Sequence, residues 1–334
     1  MFLLKTKLQE FEKLLVLCFA TFLVMAGQGV IGPVLPLYAK NFGVSATVVG
    51  LTLTVFALAR LILNVPAGMI ADRFGRRILL IGGPILTSIG MFGSGFAGDI
   101  WSLLIWRFIA GGGSAFYMSG ALIYLIDIAP SDRRARYVAT NQWALSVGVA
   151  LGPGIGGLVA ERWGLAAPFH VVGVIALVAA TYAIFRLPET RNSTARASES
   201  KNPVRDAALI IRSAPFVAIA FVTGTIFMTR AGTRATLVPL HADDTLGWGP
   251  GEIGLVFTAT GIMTLFTLWP ATWATENIGR ASVIMFSGLA AALGTFVIAA
   301  SSTPLWFVMG NIILTLGTGT AGPAPAAFVA DLFP

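Results

Sequence analysis

The sequence predicts an all-α membrane protein, a polytopic bundle of helices long enough to cross a bilayer. Three observations carry that reading. The 334 residues are 56% hydrophobic and 11% charged, against about 25% charged in soluble domains. The apolar residues fall into ten runs of spanning length, and the period-2 alternation of a half-buried strand is absent. Part of the pattern occurs twice, 204 positions apart, which predicts two pseudo-symmetric halves, with six and four helices present.

In order, the runs cover residues 13–38, 46–70, 78–97, 101–128, 136–160, 165–186, 215–240, 251–273, 281–300 and 304–330. The first is not a cleaved signal peptide, because it is too long and ends in Pro33 and Pro36 without a small-residue cleavage site. It carries Gly27, Gly29 and Gly32; small residues at helical spacing let helices approach in lipid, where apolar side chains supply no drive to associate. Residues 1–187 form the expected N-terminal half, 188–214 a linker and 215–334 the second half. A second half of four spans reads as a twelve-helix plan lacking its last two helices.

Basic residues set the expected orientation. Lys5, Lys7 and Lys13, then Arg73, Arg76 and Arg77, then Arg133, Arg134 and Arg136 fall on one side. Arg186, Arg191, Arg196, Lys201, Arg205, Arg212 and Arg280 follow on the same side, whereas the opposite loops hold Lys40 and Arg162. The positive-inside rule then makes the N-terminus cytoplasmic, in a multi-pass protein of the cell membrane. The net charge of +7 is dispersed over short loops, so the bilayer, and not nucleic acid, is the expected partner. The single cysteine, Cys18, excludes an internal disulfide and a cysteine metal cage. In the linker, Asn202-Pro203 reads as a helix start and Ala207 to Arg212 as a short amphipathic helix on the cytoplasmic face.

The stretch Pro66 to Arg77 packs one acid, three arginines and two glycines between two apolar runs, and it reads as a surface loop. Pro66, Asp72, Gly75 and Arg76 align with Pro270, Glu276, Gly279 and Arg280. Leu35 to Ala39 resembles Val238 to Ala242, and Asp127 to Pro130 resembles Asp331 to Pro334.

Three motifs carry a resemblance to a known family. They are Gly68-x-x-x-Asp72-Arg73-x-Gly75-Arg76-Arg77, Arg107-x-x-x-Gly111-Gly112-Gly113, and Gly148-x-x-x-Gly152-Pro153-x-x-Gly156-Gly157. Together they resemble the major facilitator superfamily, and within it the proton-linked drug antiporters. The resemblance implies the major facilitator fold and proton-coupled efflux of drugs or other amphiphilic small molecules by alternating access. A monomer without cofactor, metal or catalytic residue is expected.

The first motif is then a conformational latch formed by Gly68, Asp72, Arg73, Gly75, Arg76 and Arg77, with Asp72 placed near a helix N-terminus. By the same resemblance Arg107, about six residues inside its span, couples protons by tuning a nearby acid; its counterpart in the repeat is Asn311. Gly148, Gly152, Pro153, Gly156 and Gly157 form a smooth antiporter-signature helix that seals against ion leak. Gly27 stands where the family often has an acid in its first helix.

Gln28, Tyr117, Tyr124, Trp143, Arg230 and Arg234 are the candidate walls of a substrate cavity; Trp106 is a further aromatic of the same kind. Arg230 and Arg234 share a helical face, and Arg230 lies nine residues before Pro239, about 14 Å along an α-helix. Two such cations are costly near the midplane without a wet cavity or a negative partner. All 15 acidic residues fall in loops, tails or helix ends. That pattern leaves open an anion-selective uptake or exchange carrier of the same fold. His170, near the outer end of its span, reads as structural. The chain holds two histidines and no Gly-x-x-x-x-Gly-Lys-Ser/Thr loop, so an enzyme is not expected and transport would draw on a gradient, not on ATP.

Overall fold

A computed structural model describes residues 2–130, 133–190 and 214–320. The expected linker helix, Asn202-Pro203 and Asp331 to Pro334 lie outside the described residues. Among the described residues the chain is helical throughout, with no strand. Helices α1 (Phe2–Ile31), α2 (Val34–Lys40), α3 (Ala46–Phe74) and α4 (Arg76–Gly95) come first. They are followed by α5 (Ile100–Ile128), α6 (Arg134–Trp163) and α7 (Ala167–Arg186). After the linker come α8 (Ala214–Met228), a π-helical segment (Thr229–Leu237), α9 (Val238–Leu246), α10 (Pro250–Asn277), α11 (Arg280–Ala299) and α12 (Pro304–Thr320).

Seven of these helices are long and apolar enough to cross a membrane, and α10, bent by 41° between Thr267 and Trp269, makes an eighth. The remaining two expected spans differ for local reasons. Span seven is interrupted by the π-helical segment, and α12 is described over 17 residues. The first span breaks after Ile31, where Gly32 turns back to the Gly29 carbonyl and Pro33 has no N–H to continue the ladder.

The chain forms two compact units, Met1–Arg191 with Trp248–Thr258, and Asn192–Gly247 with Ala259–Pro334. In the first, α6 lies along α1, and α5 lies between α3 and α4. Its interior is a cluster that includes Leu17, Cys18, Tyr117, Tyr124, Leu125 and Leu187. The Asp99 carboxylate starts α5 by accepting from the backbone N–H of Trp101 and Ser102, while the Ser102 hydroxyl bonds back to Asp99, a capping box.

Duplication is visible in the backbone itself. Gly43 and Gly247 have φ of 70° and 64°, and Gly75 and Gly279 have 101° and 104°; each pair is 204 positions apart, as are α4 and α11, both of 20 residues. Equivalent side chains do equivalent work. The Tyr38 hydroxyl donates to the carbonyls of Ser94 and Ala97 at 3.1 and 3.3 Å. His241 in the second unit places Nε2 3.3 Å from the carbonyl of Ser301, the counterpart of Ala97.

The Pro66–Arg77 stretch is not the loop expected from its polarity. α3 continues through Pro66 to Phe74 and α4 begins at Arg76, so the connection contracts to one residue, Gly75. A helix end bearing Asp72 and Arg73 tolerates water, and only the reversal of direction needs a non-helical residue. Gly75, at φ 101° and ψ 164°, occupies a region that is essentially restricted to glycine.

Gly75→Ala should therefore cost about 1–3 kcal/mol in backbone strain. Its Cβ would also collide with the Glu189 carboxylate, whereas one at Gly279 meets nothing among the described residues. In thermal unfolding in detergent, Gly75→Ala should lower the midpoint more than Gly279→Ala, and Gly68→Ala, beside open space in a helix, should leave it nearly unchanged.

Candidate functional site

At the α3–α4 corner, Arg76 gathers the charges. Its Nε donates to Asp127 Oδ2 at 2.8 Å, its Nη1 donates to the Ala71 carbonyl at 3.0 Å, and its Nη2 lies 3.5 Å from Asp72 Oδ1. The Arg76 side chain is 15% exposed and Asp127 25%, whereas Asp72 is 73% exposed. An exposed pair at that distance contributes about 0–1 kcal/mol, so Asp72 holds the weaker end of the network.

Asp72 does not occupy the helix N-terminus expected of it. It stands on the last turn of α3, and the first N–H groups of α4 go elsewhere. Glu189 Oε1 accepts from Arg76 N at 2.9 Å and Oε2 from Arg77 N at 3.1 Å. Thr190 donates its hydroxyl to Asp127 Oδ2 at 3.0 Å, the oxygen that Arg76 also meets. Arg77 reaches the Ile184 carbonyl on α7, and Arg73 lies over the Phe74 ring at 5.2 Å. Gly75, Asp72, Arg76 and Arg77 are thus brought together with Asp127, Glu189 and Thr190, while Gly68 stands apart beside open space. Asp127 is legible through the repeat, whereas Glu189 and Thr190 read as the start of a polar linker; their one local signal is an acid three residues past the end of α7.

The antiporter-signature helix α6 runs unbroken through Pro153 and presents two small-residue faces. Gly148, Gly152 and Gly156 sit against the backbone of Phe22, Ala26, Gly29 and Val30 on α1, so close that any Cβ would strike it. Gly157 meets the backbone of Pro250 and Gly254 at the start of α10, and Gly154 N donates to the Thr258 hydroxyl at 2.7 Å. This contact explains why Trp248–Thr258 belongs to the first unit, a division that composition around residues 188–214 could not reveal.

Arg107 is 2% exposed. Its guanidinium lies over Phe56 at 4.5 Å, Nε is 3.5 Å from the Thr52 carbonyl, and Nη1 has no hydrogen-bond partner among the described residues. The acid that it was expected to tune is not among these contacts. Asn311, its repeat counterpart, is buried and donates to the Phe307 carbonyl.

The expected cavity residues divide. Tyr117 and Tyr124 are fully buried in the core of the first unit, and the Tyr117 hydroxyl pairs with Thr21 at 2.9 Å. They line no open wall in this structure. Trp106 packs over Gly93. Gln28 is half-buried and Trp143 is exposed. His170 stacks on Phe92 and Phe96 at 6.0 and 4.5 Å, in keeping with a structural place.

Arg230 and Arg234 lie in the second unit, both within the π-helical segment. Arg230 Nη2 donates to the Thr318 carbonyl at 3.0 Å, and Arg234 Nη2 donates to Thr260 Oγ1 at 2.8 Å. The wider turn, with i→i+5 bonding, advances less per residue than an α-helix, so the α-helical depth estimate for Arg230 is too large. π-turns inside helices recur at functional sites. Neither the π segment nor its two threonine-derived partners was foreseeable from residue spacing. Among the described residues no group of His, Cys, Asp and Glu could hold a metal ion.

Comparison with known proteins places this geometry. A family model described as Major Facilitator Superfamily matches residues 17–238 and 219–334. The chain is similar to the quinolone resistance protein NorA of Staphylococcus aureus, 29% identical over 261 residues, which are 77% of this chain and 66% of that protein. The chain thus spans just under two thirds of the length of that relative. An uncharacterized MFS-type transporter of Methanocaldococcus jannaschii is 30% identical over 178 residues, 53% of this chain and 46% of the relative. Among solved structures, the nucleoside transporter NupG superposes with a TM-score of 0.80 at 13% identity, covering 96% of this chain and 84% of that one. A bacterial homolog of the human lysosomal transporter Spinster, inward-facing and occupied, gives 0.76 at 17% identity, covering 96% of this chain and 77% of that one. At such identities these two bear on the fold alone.

Thr258→Val removes the hydroxyl partner of Gly154 and should cost about 1 kcal/mol of stability, the worth of one hydrogen bond, read as a lower thermal midpoint. Thr54→Val is the control, since among the described residues that hydroxyl bonds the Gly50 carbonyl of its own helix; an equal effect of both would show that the α6–α10 bond contributes nothing.

Proposed function

Because this chain belongs to the Major Facilitator Superfamily, a family of multi-pass membrane transporters and not of enzymes, we propose that it is a proton-coupled efflux carrier of amphiphilic small molecules. The observation that carries the reading is the similarity to a quinolone resistance protein over 77% of the chain. The three motifs support it, each on its own helix or corner. The cell membrane is its place, with the N-terminus and the Gly75 corner on the cytoplasmic side, as the basic loops favour. It works as a monomer.

Alternating access needs contacts that hold one state and yield in the other, at a cost of a few kcal/mol. The α3–α4 corner supplies one. Arg76 is fixed on Asp127, and Asp72, exposed and loosely paired, is the arm that can exchange partners. Gly68, Arg73, Gly75 and Arg77 complete the latch. On α6, Gly148, Gly152, Pro153, Gly156 and Gly157 form the tight seal that packs against α1 and the start of α10. Arg107, held against Phe56 with one nitrogen unbonded, is the group for proton coupling. Gln28 and Trp143 remain candidates for the substrate path.

A second reading rests on Arg230 and Arg234. No Asp or Glu occurs in residues 207–242, 253–275 or 277–330, so the spans around this pair bring two cations and no carboxylate of their own. A carrier that binds organic anions, or exchanges them, would use those guanidinium groups as its substrate site.

Transport into inside-out vesicles separates the two readings. The panel is a lipophilic cation, a neutral amphiphile and an organic anion, each with and without a pH gradient. Gradient-driven uptake of the cation supports efflux; movement of the anion alone transfers the function to the arginine pair. Asp72→Asn should lower turnover while leaving membrane insertion intact, and unchanged turnover would remove the latch. Arg230→Ala should weaken binding of the anion at least about tenfold, the worth of one charge-assisted hydrogen bond, with little effect on the cation. Equal losses would reduce Arg230 to a structural role.

A further inference from the structure

We propose that Glu189 and Thr190, which follow α7 and open the linker, are positioning residues that hold the latch in register. The inference rests on the latch reading of the α3–α4 corner. Arg76 can serve as a fixed pivot only if its backbone and its guanidinium are both immobilised, and these two residues act on both.

Glu189 uses each carboxylate oxygen on a different amide, Arg76 N at 2.9 Å and Arg77 N at 3.1 Å. Those N–H groups open α4 and have no partner within the helix, and the positive end of the helix dipole favours an anion there. Gly75 makes the approach feasible, since a Cβ at that position would occupy the space of the carboxylate. Thr190 acts one residue later on the other side of the pivot. Its hydroxyl bonds Asp127 Oδ2 at 3.0 Å, and the same oxygen accepts from Arg76 Nε at 2.8 Å. The segment after α7 thus ties the start of α4 to the end of α5.

The division of labour follows from exposure and distance. Asp127 and Arg76 are mostly covered and 2.8 Å apart; Asp72 is 73% exposed and 3.5 Å away. With the tether in place, Arg76 stays on Asp127 and Asp72 is left free to exchange. Without it, the start of α4 can shift and Arg76 can move toward Asp72.

Hydrogen exchange of the full chain in lipid nanodiscs tests the proposal without any substrate. In Glu189→Ala the amides of Arg76 and Arg77 should exchange about tenfold faster, as expected when a first-turn amide loses its acceptor. The faster exchange should spread to residues 71–74 and 124–128, which carry Asp72 and Asp127. Glu189→Gln, with one acceptor oxygen left, should fall between. Thr190→Val should loosen residues 124–128 while sparing the Arg76 and Arg77 amides. Unchanged protection in Glu189→Ala would overturn the contact itself, and a change confined to Arg76 and Arg77 would make Glu189 a local helix cap with no hold on the latch. Loss of transport across the whole vesicle panel would count against the transport reading and leave this result standing.

Discussion

Apolar helices gain nothing from one another in a hydrocarbon solvent that is as apolar as leucine, so close backbone approach has to hold the bundle together. Here that constraint is met by glycine. Gly148, Gly152 and Gly156 bring α6 onto the backbone of α1; Gly111 and Gly113 bring α5 onto α3 and α4 in the same way. A β-carbon at any of these positions would separate the helices and forfeit the dispersion contacts along their length. The glycines of α6 therefore serve packing, and the proposed seal would use the same smooth face.

With the helices held in this way, the chain spends its few charges at places where they have something to hold. The corner at Gly75 concentrates arginine, aspartate and glutamate; there the exposed Arg76–Asp72 pair is weak enough to break, whereas the Arg76–Asp127 pair is shorter and more covered. Arg107 takes a different course, covered by an aromatic face and a carbonyl in place of a carboxylate. Arg230 and Arg234 take a third, reaching out of the π-helical segment to neutral oxygens, the Thr318 carbonyl and the Thr260 hydroxyl. The three arrangements differ in what offsets the cation: carboxylates at the corner, an aromatic face and a carbonyl at Arg107, and neutral oxygens at Arg230 and Arg234.

The internal repeat extends to single contacts. Tyr38 and His241 were paired only by a short likeness in sequence, yet both reach the carbonyl of the equivalent turn, Ala97 and Ser301. Gly75 and Gly279 share a backbone conformation that few other residues could adopt.

Composition and periodicity were enough to establish the helical membrane bundle, the spans of the first half, the duplication and the glycine faces, because lipid leaves the chain no other way to satisfy its backbone. Glycine at Gly75 and the arginines at Arg76 and Arg77 were likewise legible, since turn geometry and charge are properties of single residues. The tertiary structure alone decided three further matters. It contracted a twelve-residue polar stretch to a one-residue corner, because a helix end can carry its charges into water without unwinding. It buried Tyr117 and Tyr124, whose facing depends on helix rotation and not on spacing. It brought Glu189 and Thr190 to Arg76 and Asp127 across more than sixty positions of sequence, a contact set by where α7 ends beside α4, which no local pattern records.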